Sequence, residues 1–170
     1  MRHQYTIEGN TTIIHITTKK DNLSYEVLID TIDLPFILEY GIDLFGGRNK
    51  DYYVAIYDAN ADSHLLHRIL LDAPQGIQVD HIDRNKLNCK RDNLRFVTNA
   101  ENKQNSPVQS NNTSGTPGVF WQINKQKWYA RVTINRKNYN LGAFAIKEDA
   151  IKAVISFKEK HMPFSKEAMI

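Results

Sequence analysis

Residues 79–102 gather in one short stretch the side chains that could act together on a phosphodiester. Asp80 and His81 are adjacent in Val79-Asp80-His81-Ile82-Asp83-Arg84-Asn85-Lys86-Leu87-Asn88. Asp92-Asn93-Leu94-Arg95 and Asn99-Ala100-Glu101-Asn102 follow. A neutral imidazole takes a proton from water near neutral pH, and an adjacent carboxylate can hold a divalent cation that offsets charge building on a phosphate. Singly, an Asp-His pair or an Asn-rich segment reads as a surface turn. The ordered set is what points to phosphodiester cleavage.

Asp80-His81, Asn93 and Asn102, set within the stretch from Leu66 to Asn105, resemble the HNH nuclease motif, the ββα-metal or His-Me finger family, in its phage homing-endonuclease form. The resemblance implies a strand ending in the Asp-His pair, a loop carrying the middle Asn, a second strand and a helix. Gln75 to His81, Leu94 to Val97 and Asn99 to Asn105 are the expected elements. It further implies His81 as the general base, Asp80 and Asn102 as metal ligands, and Asn93 as the residue that braces the loop and orients the histidine. With two protein ligands the ion completes its shell with water and phosphate oxygens, as Mg²⁺ or Mn²⁺ does. Asn as the last ligand argues against a soft metal such as zinc. Arg84 stands where the family often has Gly, and Cys89 where it often has Asn or Asp; both read as loop variation. His67, inside the apolar run Leu65 to Leu71, is expected to be a structural, hydrogen-bonded residue, with a supporting place behind the site as the functional alternative.

Charge is unevenly spread along the 170 residues. Residues 1–63 carry five Lys/Arg against ten Asp/Glu, residues 64–110 seven against five, and residues 111–170 ten against four. Between Glu101 and Glu148 there is no acidic residue, while Lys103, Lys125, Lys127, Arg131, Arg136, Lys137 and Lys147 fall inside that interval. A one-signed surface of this kind suits phosphate contacts. Cys89 is the single cysteine, so neither an intramolecular disulfide nor a thiolate zinc ribbon can form. No apolar run has the length of a signal core or a membrane span, and a cytoplasmic protein without a membrane partner is expected.

A second resemblance lies near the C-terminus. Gly115-Thr116-Pro117-Gly118-Val119-Phe120-Trp121, Lys127-Trp128-Tyr129-Ala130-Arg131-Val132 and Asn140-Leu141-Gly142-Ala143-Phe144, followed by a helix, resemble the APETALA-type DNA-binding domain. The residues themselves predict a three-stranded antiparallel meander with a helix on one face. Trp128, Ala130, Val132 and Ile134 alternate with Tyr129, Arg131 and Thr133, Asn124 to Gln126 and Asn135 to Lys137 supply turns, and Ala150, Ala153, Val154, Phe157 and His161 recur at helical spacing. Parity puts Val119, Trp121, Ile123, Trp128, Val132, Tyr139 and Leu141 toward the helix, and Phe120, Gln122, Tyr129, Arg131, Thr133, Asn138 and Asn140 outward. In the resembled family that outward face lies in the major groove, where Arg, Asn and Gln read base edges; Arg136 and Lys137 join it from the turn. Ala145-Ile146 stands where that family caps its helix with Thr or Ser, so a weak helix start is expected.

In the N-terminal third, Thr11 to Thr18, Ser24 to Asp30 and Asp51 to Asp58 read as strands, and Asp33 to Tyr40, with Gly41 after it, as a helix capped at both ends. The expected chain is α+β: a β-rich segment (1–63) packing on an HNH core (64–106), a linker (107–115), and a C-terminal sheet on one helix (116–170). The expected activity is site-specific, metal-dependent cleavage of double-stranded DNA. A homing enzyme that nicks as a monomer, or forms a weak dimer, is expected, with no small-molecule cofactor. The alternatives are a non-catalytic DNA-binding regulator and a restriction or packaging nuclease.

Overall fold

The computed structural model describes residues 3–19, 22–46, 51–106, 108 and 112–165. The chain forms two compact units, residues 1–97 and 98–170, each mixing helix with small antiparallel sheets. The α+β expectation holds. Among the described residues no helix is long and apolar enough to cross a membrane.

In the first unit, β1 (Gln4–Glu8), β2 (Thr11–Thr17) and β3 (Ser24–Asp30) make one antiparallel sheet. α1 (Leu34–Leu38) leads into a second, built from β4 (Gly41–Gly46), β5 (Tyr52–Tyr57) and β6 (Ser63–Leu65). α2 (Leu66–Leu70) follows, and then the hairpin of β7 (Gln78–His81) and β8 (Leu94–Val97). Alternation along β2 and β3 turns Ile14, Ile16, Val27 and Ile29 inward, where they share one core with Val54, Ile56, Leu66, Cys89 and Leu94. The β-rich leader and the Asp-His segment therefore share a single core.

Three N-terminal expectations change. β1, β4 and β6 were not anticipated: Gln4–Glu8 is exposed throughout, so it shows no half-buried alternation to read. The helix from Asp33 to Tyr40 shrinks to Leu34–Leu38, without a side-chain cap at its start, because the Asp33 carboxylate instead accepts from the Arg91 guanidinium. Gly41 opens β4 rather than ending the helix. The strand expected from Gln75 starts only at Gln78. Ahead of it Gly76 takes φ +85, a turn conformation that favours glycine, and Arg68 donates to the carbonyls of Ala73, Pro74 and Ile77. Those carbonyls serve an arginine, not a strand partner.

The second unit opens with α3 (Asn99–Gln104), whose Thr98 and Glu101 form a capping box. β9 (Val119–Gln122), β10 (Lys127–Ile134) and β11 (Lys137–Phe144) form an antiparallel sheet ordered β11-β10-β9. α4 (Lys147–His161) covers it through Val119, Ala130, Val132, Ala150 and Val154. A register shift between Ala130 and Arg131 lets Leu141 and Phe144, of opposite parity, both pack on this core. Ile123, expected inward, is 73 % exposed, because β9 ends at Gln122 and Ile123 begins a 3₁₀ turn. The start of α4 at Ile146 has no side-chain cap, as expected, though Glu148 and Asp149 in its first turn suit the helix dipole. Residues 107 and 109–111 of the expected linker lie outside the described residues. Asn112 and Ser114, also in it, are tied by hydrogen bonds to Thr116 and Val119.

Candidate active site

The β7–β8 hairpin fixes the chemistry-bearing residues by register. Asp80 sits opposite Arg95, and His81 opposite Leu94. The loop between the strands is held by its own polar side chains. Asn93 donates to the Asp83 carboxylate at 2.9 Å and to the Asn88 carbonyl at 2.8 Å, and its Oδ1 accepts from the Asp83 amide at 3.0 Å. Asp83 also accepts from the Asn85 amide and the Asn88 side chain, both at 2.8 Å. An asparagine offers two donors and one acceptor oxygen, and here both ends are used to cross the loop at the residue following Ile82. Asn93 thereby ties Asp83 to Asn88 across the loop.

The rest of the first unit clamps the loop from outside. Cys89 donates its amide to Leu28 at 2.8 Å, and Leu28 donates to Leu87 at 2.9 Å, which joins the loop to β3. The Cys89 side chain is fully buried in the shared core, and burial pushes its thiol up to about 12. At this position an apolar plug serves packing. Arg91 donates its amide to Asp30, its guanidinium to both Asp33 oxygens, and Nη1 to the Leu70 carbonyl. Arg84 has φ +65, which gives a backbone reason for the glycine the motif often carries there.

His81 is 5 % exposed. Desolvation lowers its pKa; Asp83 and Asp80 oppose that, and Lys86 adds to it. The ring is therefore neutral and proton-accepting at neutral pH. His67, on α2, lies edge-to-face against it at 4.9 Å, and Tyr53 of β5 faces both rings at 5.6 and 6.4 Å. His67 is 4 % exposed. Burial first, then the charges of His81 and Arg68, pull its pKa down to about 4. Its Nδ1 has no hydrogen-bond partner among the described residues. The Lys86 ammonium rests 4.3 Å from the Tyr53 ring centre and pairs with Asp51. Burial works to lower its pKa, but hydrogen bonds with Asp51 and Tyr53 outweigh that and hold it raised. This cation is held beside the candidate base.

Asp80 meets Arg95 through Oδ2, at 3.0 Å from Nε and 2.7 Å from Nη2. The two side chains are only 10 % and 13 % exposed. A carboxylate held at a strand end beside an imidazole supplies a hard oxygen donor. No group of three His, Cys, Asp or Glu that could hold a metal occurs among the described residues, so an ion here would rely on water and phosphate oxygens, which suits a hydrated divalent cation. Asn102, the other implied ligand, lies half-buried on α3 in the second unit.

Sequence reasoning missed Arg95, Lys86, Tyr53, Asp51 and Arg91 as parts of this arrangement. Arg95 could have been found from the register, since Asp80 and Arg95 fall opposite once the two strands are aligned through the loop. Tyr53 and Asp51 are more than thirty residues upstream of Lys86, which they contact, and carry no local signal.

In the second unit, Phe120, Gln122, Tyr129, Arg131, Thr133, Asn138 and Asn140 share one sheet face. Arg131 pairs with Asn140 and Thr133 with Asn138 in register. Phe120 pairs with Tyr129 and stacks on it at 5.9 Å, with the Arg131 guanidinium over the Phe120 ring at 5.3 Å. Thr133 donates to Asn138 at 2.7 Å; Lys137, expected on this face, instead stands opposite Ile134 and over Tyr139 on the helix side of the sheet, because strand alternation puts it in their row. Gln122 pairs with Lys127, which adds a cation to this face. Arg136 forms the β10–β11 turn with Asn135, both at positive φ. Trp121 and Trp128 pack on each other at 5.2 Å, and Trp128 contacts the core, as its parity required.

Comparison with known proteins agrees with this geometry. Residues 72–104 match the HNH endonuclease family. The chain is 33 % identical over 93 residues to Protein 3.8 of Escherichia phage T7, an alignment covering 55 % of this chain and 77 % of that protein. No solved structure matches it. The chain belongs to the same family as phage T7 Protein 3.8 and carries an HNH endonuclease domain.

Proposed function

We propose that this protein is a metal-dependent DNA endonuclease of homing type that nicks as a monomer, and that its C-terminal sheet recognises the target sequence. The observation that carries the reading is the buried, neutral His81 beside Asp80 on a loop cross-braced by Asn93. His81 takes a proton from the attacking water. Asn93 and Asp83 hold the loop that presents it, and the His67 and Tyr53 rings keep water from its back. Arg95 is a positioning residue that fixes the Asp80 carboxylate, and Lys86 offers positive charge to the phosphate.

Asp80 would hold a divalent metal; for Asn102 as its companion the motif alone is the support. When bound, such an ion, Mg²⁺ or Mn²⁺, stabilises charge on the phosphate and leaving oxygen. Gln122, Tyr129, Arg131, Thr133, Asn138 and Asn140 read bases, and Arg136 and Lys137 contact phosphate. One HNH site cuts one strand, so double-strand breaks need two protomers or two binding events.

The test is to incubate the protein and His81→Ala with supercoiled DNA, with Mg²⁺, Mn²⁺ or chelator, and to sequence the ends formed. Metal-dependent nicks sharing a flanking sequence and absent in the variant support the reading. DNA binding with no breaks under any metal would favour a non-catalytic regulator.

A further inference from the structure

The second unit holds a cleft of about 680 Å³ that adjoins the outward sheet face and shares Arg131 and Thr133 with it. Three cations from three elements line it: Lys103 from the last turn of α3, Arg131 from β10 and Lys158 from α4. Lys158 borders it while only 4 % exposed. No Asp or Glu lines the cleft among the described residues. An exposed basic patch is an ordinary solvated surface, but a concave one without carboxylates draws anions, because low-dielectric walls concentrate the field. Its volume lies within the ~300–1,000 Å³ of small-molecule sites, room for a nucleotide-sized piece of backbone.

Position identifies the occupant. One wall carries Phe120 and Arg131, the stacked pair on the outward sheet face. The other carries Lys103, next in sequence to Asn102. We propose that this cleft seats the phosphodiester backbone of one DNA strand as it passes from the sheet to the motif helix. It would thereby fix the spacing between the bases read and the α3 end of the nuclease motif. The inference rests on the reading of the sheet as a DNA-contacting surface.

The full-length protein with chelator, so that nothing is cut, would be titrated onto a fluorescent duplex across a salt series. Lys103 is exposed, so Lys103→Gln tests the cleft without touching the core. It should lower the slope of log affinity against log salt by about one contact, roughly a threefold smaller affinity change between 50 and 200 mM salt. Lys103→Arg should restore the slope. Lys152→Gln, exposed on α4 and outside the cleft, should leave it unchanged. Equal slopes in Lys103→Gln and Lys152→Gln would overturn the proposal, as would competition by a mononucleotide well beyond that of chloride at equal ionic strength. Failure of the unaltered protein to bind any duplex would instead remove the reading beneath it.

Discussion

The two units use charged and polar side chains in opposite ways. Around His81 they are buried or half-buried and answer one another: Asp80 with Arg95, and Asp83 with Asn93 and Asn88. On the outward face of the β9–β11 sheet, Arg131, Thr133, Asn138 and Asn140 are exposed, and the described contacts there are few. A proton acceptor needs a fixed orientation and a desolvated ring, so its neighbours must be spent holding it. A surface that reads a groove needs donors and acceptors left available to bases.

That contrast should show first in stability. Arg95→Ala leaves the nearly buried Asp80 carboxylate without its arginine, and removing one partner of such a pair costs about 3 kcal/mol. Arg131→Ala, on the open sheet face, should stay within about 0.5 kcal/mol of the parent. Urea unfolding of the two variants measures the difference, and equal losses would break the comparison.

Next in size is acid sensitivity. His67 titrates near 4 in the fold against 6.5 ordinarily. A depressed pKa means the unfolded chain takes up the proton first, so stability present above pH 6.5 is lost as pH falls toward 4. Linkage puts the loss between pH 7 and pH 5 at about 2 kcal/mol. His67→Leu should flatten that part of the stability curve. His81, lowered in the same direction, should give cleavage an acid limb with its midpoint below 6.5; a limb above 6.5 would contradict the buried, neutral base.

The second unit has its own rigid point. Gly118 has φ +98, and a Cβ there would lie 2.7 Å from the Arg131 carbonyl oxygen. Gly118→Ala should therefore destabilise by about 2 kcal/mol and weaken DNA binding through displacement of Arg131, with both changes read from melting and anisotropy. The smallest effect concerns Cys89. Its buried, raised thiol should resist alkylation in the native protein and react only as the loop opens, so the labelling rate reports how tightly β3 holds that loop.

Much of this arrangement was legible in the sequence where spacing is short. The β8 strand, α3 to within one residue, the meander with its helix, and the bracing by Asn93 follow from local pattern and motif. What was hidden depends on distant partners. Asp33 looked like a helix cap because the sequence offers no sign that Arg91, far along the chain, takes its carboxylate. β1 has no buried face, and β6 is only three residues long, so neither carries a period to read. Tyr53 and Asp51 reach Lys86 and the histidines only through the packing of β5.

The most direct test of the division between chemistry and recognition pairs two measurements on two variants, once a cleaved duplex is in hand. Affinity is measured in chelator, and single-turnover cleavage with saturating protein and Mg²⁺. His81→Ala should retain affinity within about twofold while the cleavage rate falls by at least about 10²-fold. Arg131→Ala should lose affinity yet cut at the parental rate once saturated. If His81→Ala still cuts at the parental rate, or if Arg131→Ala loses the chemical step while binding normally, the account is wrong.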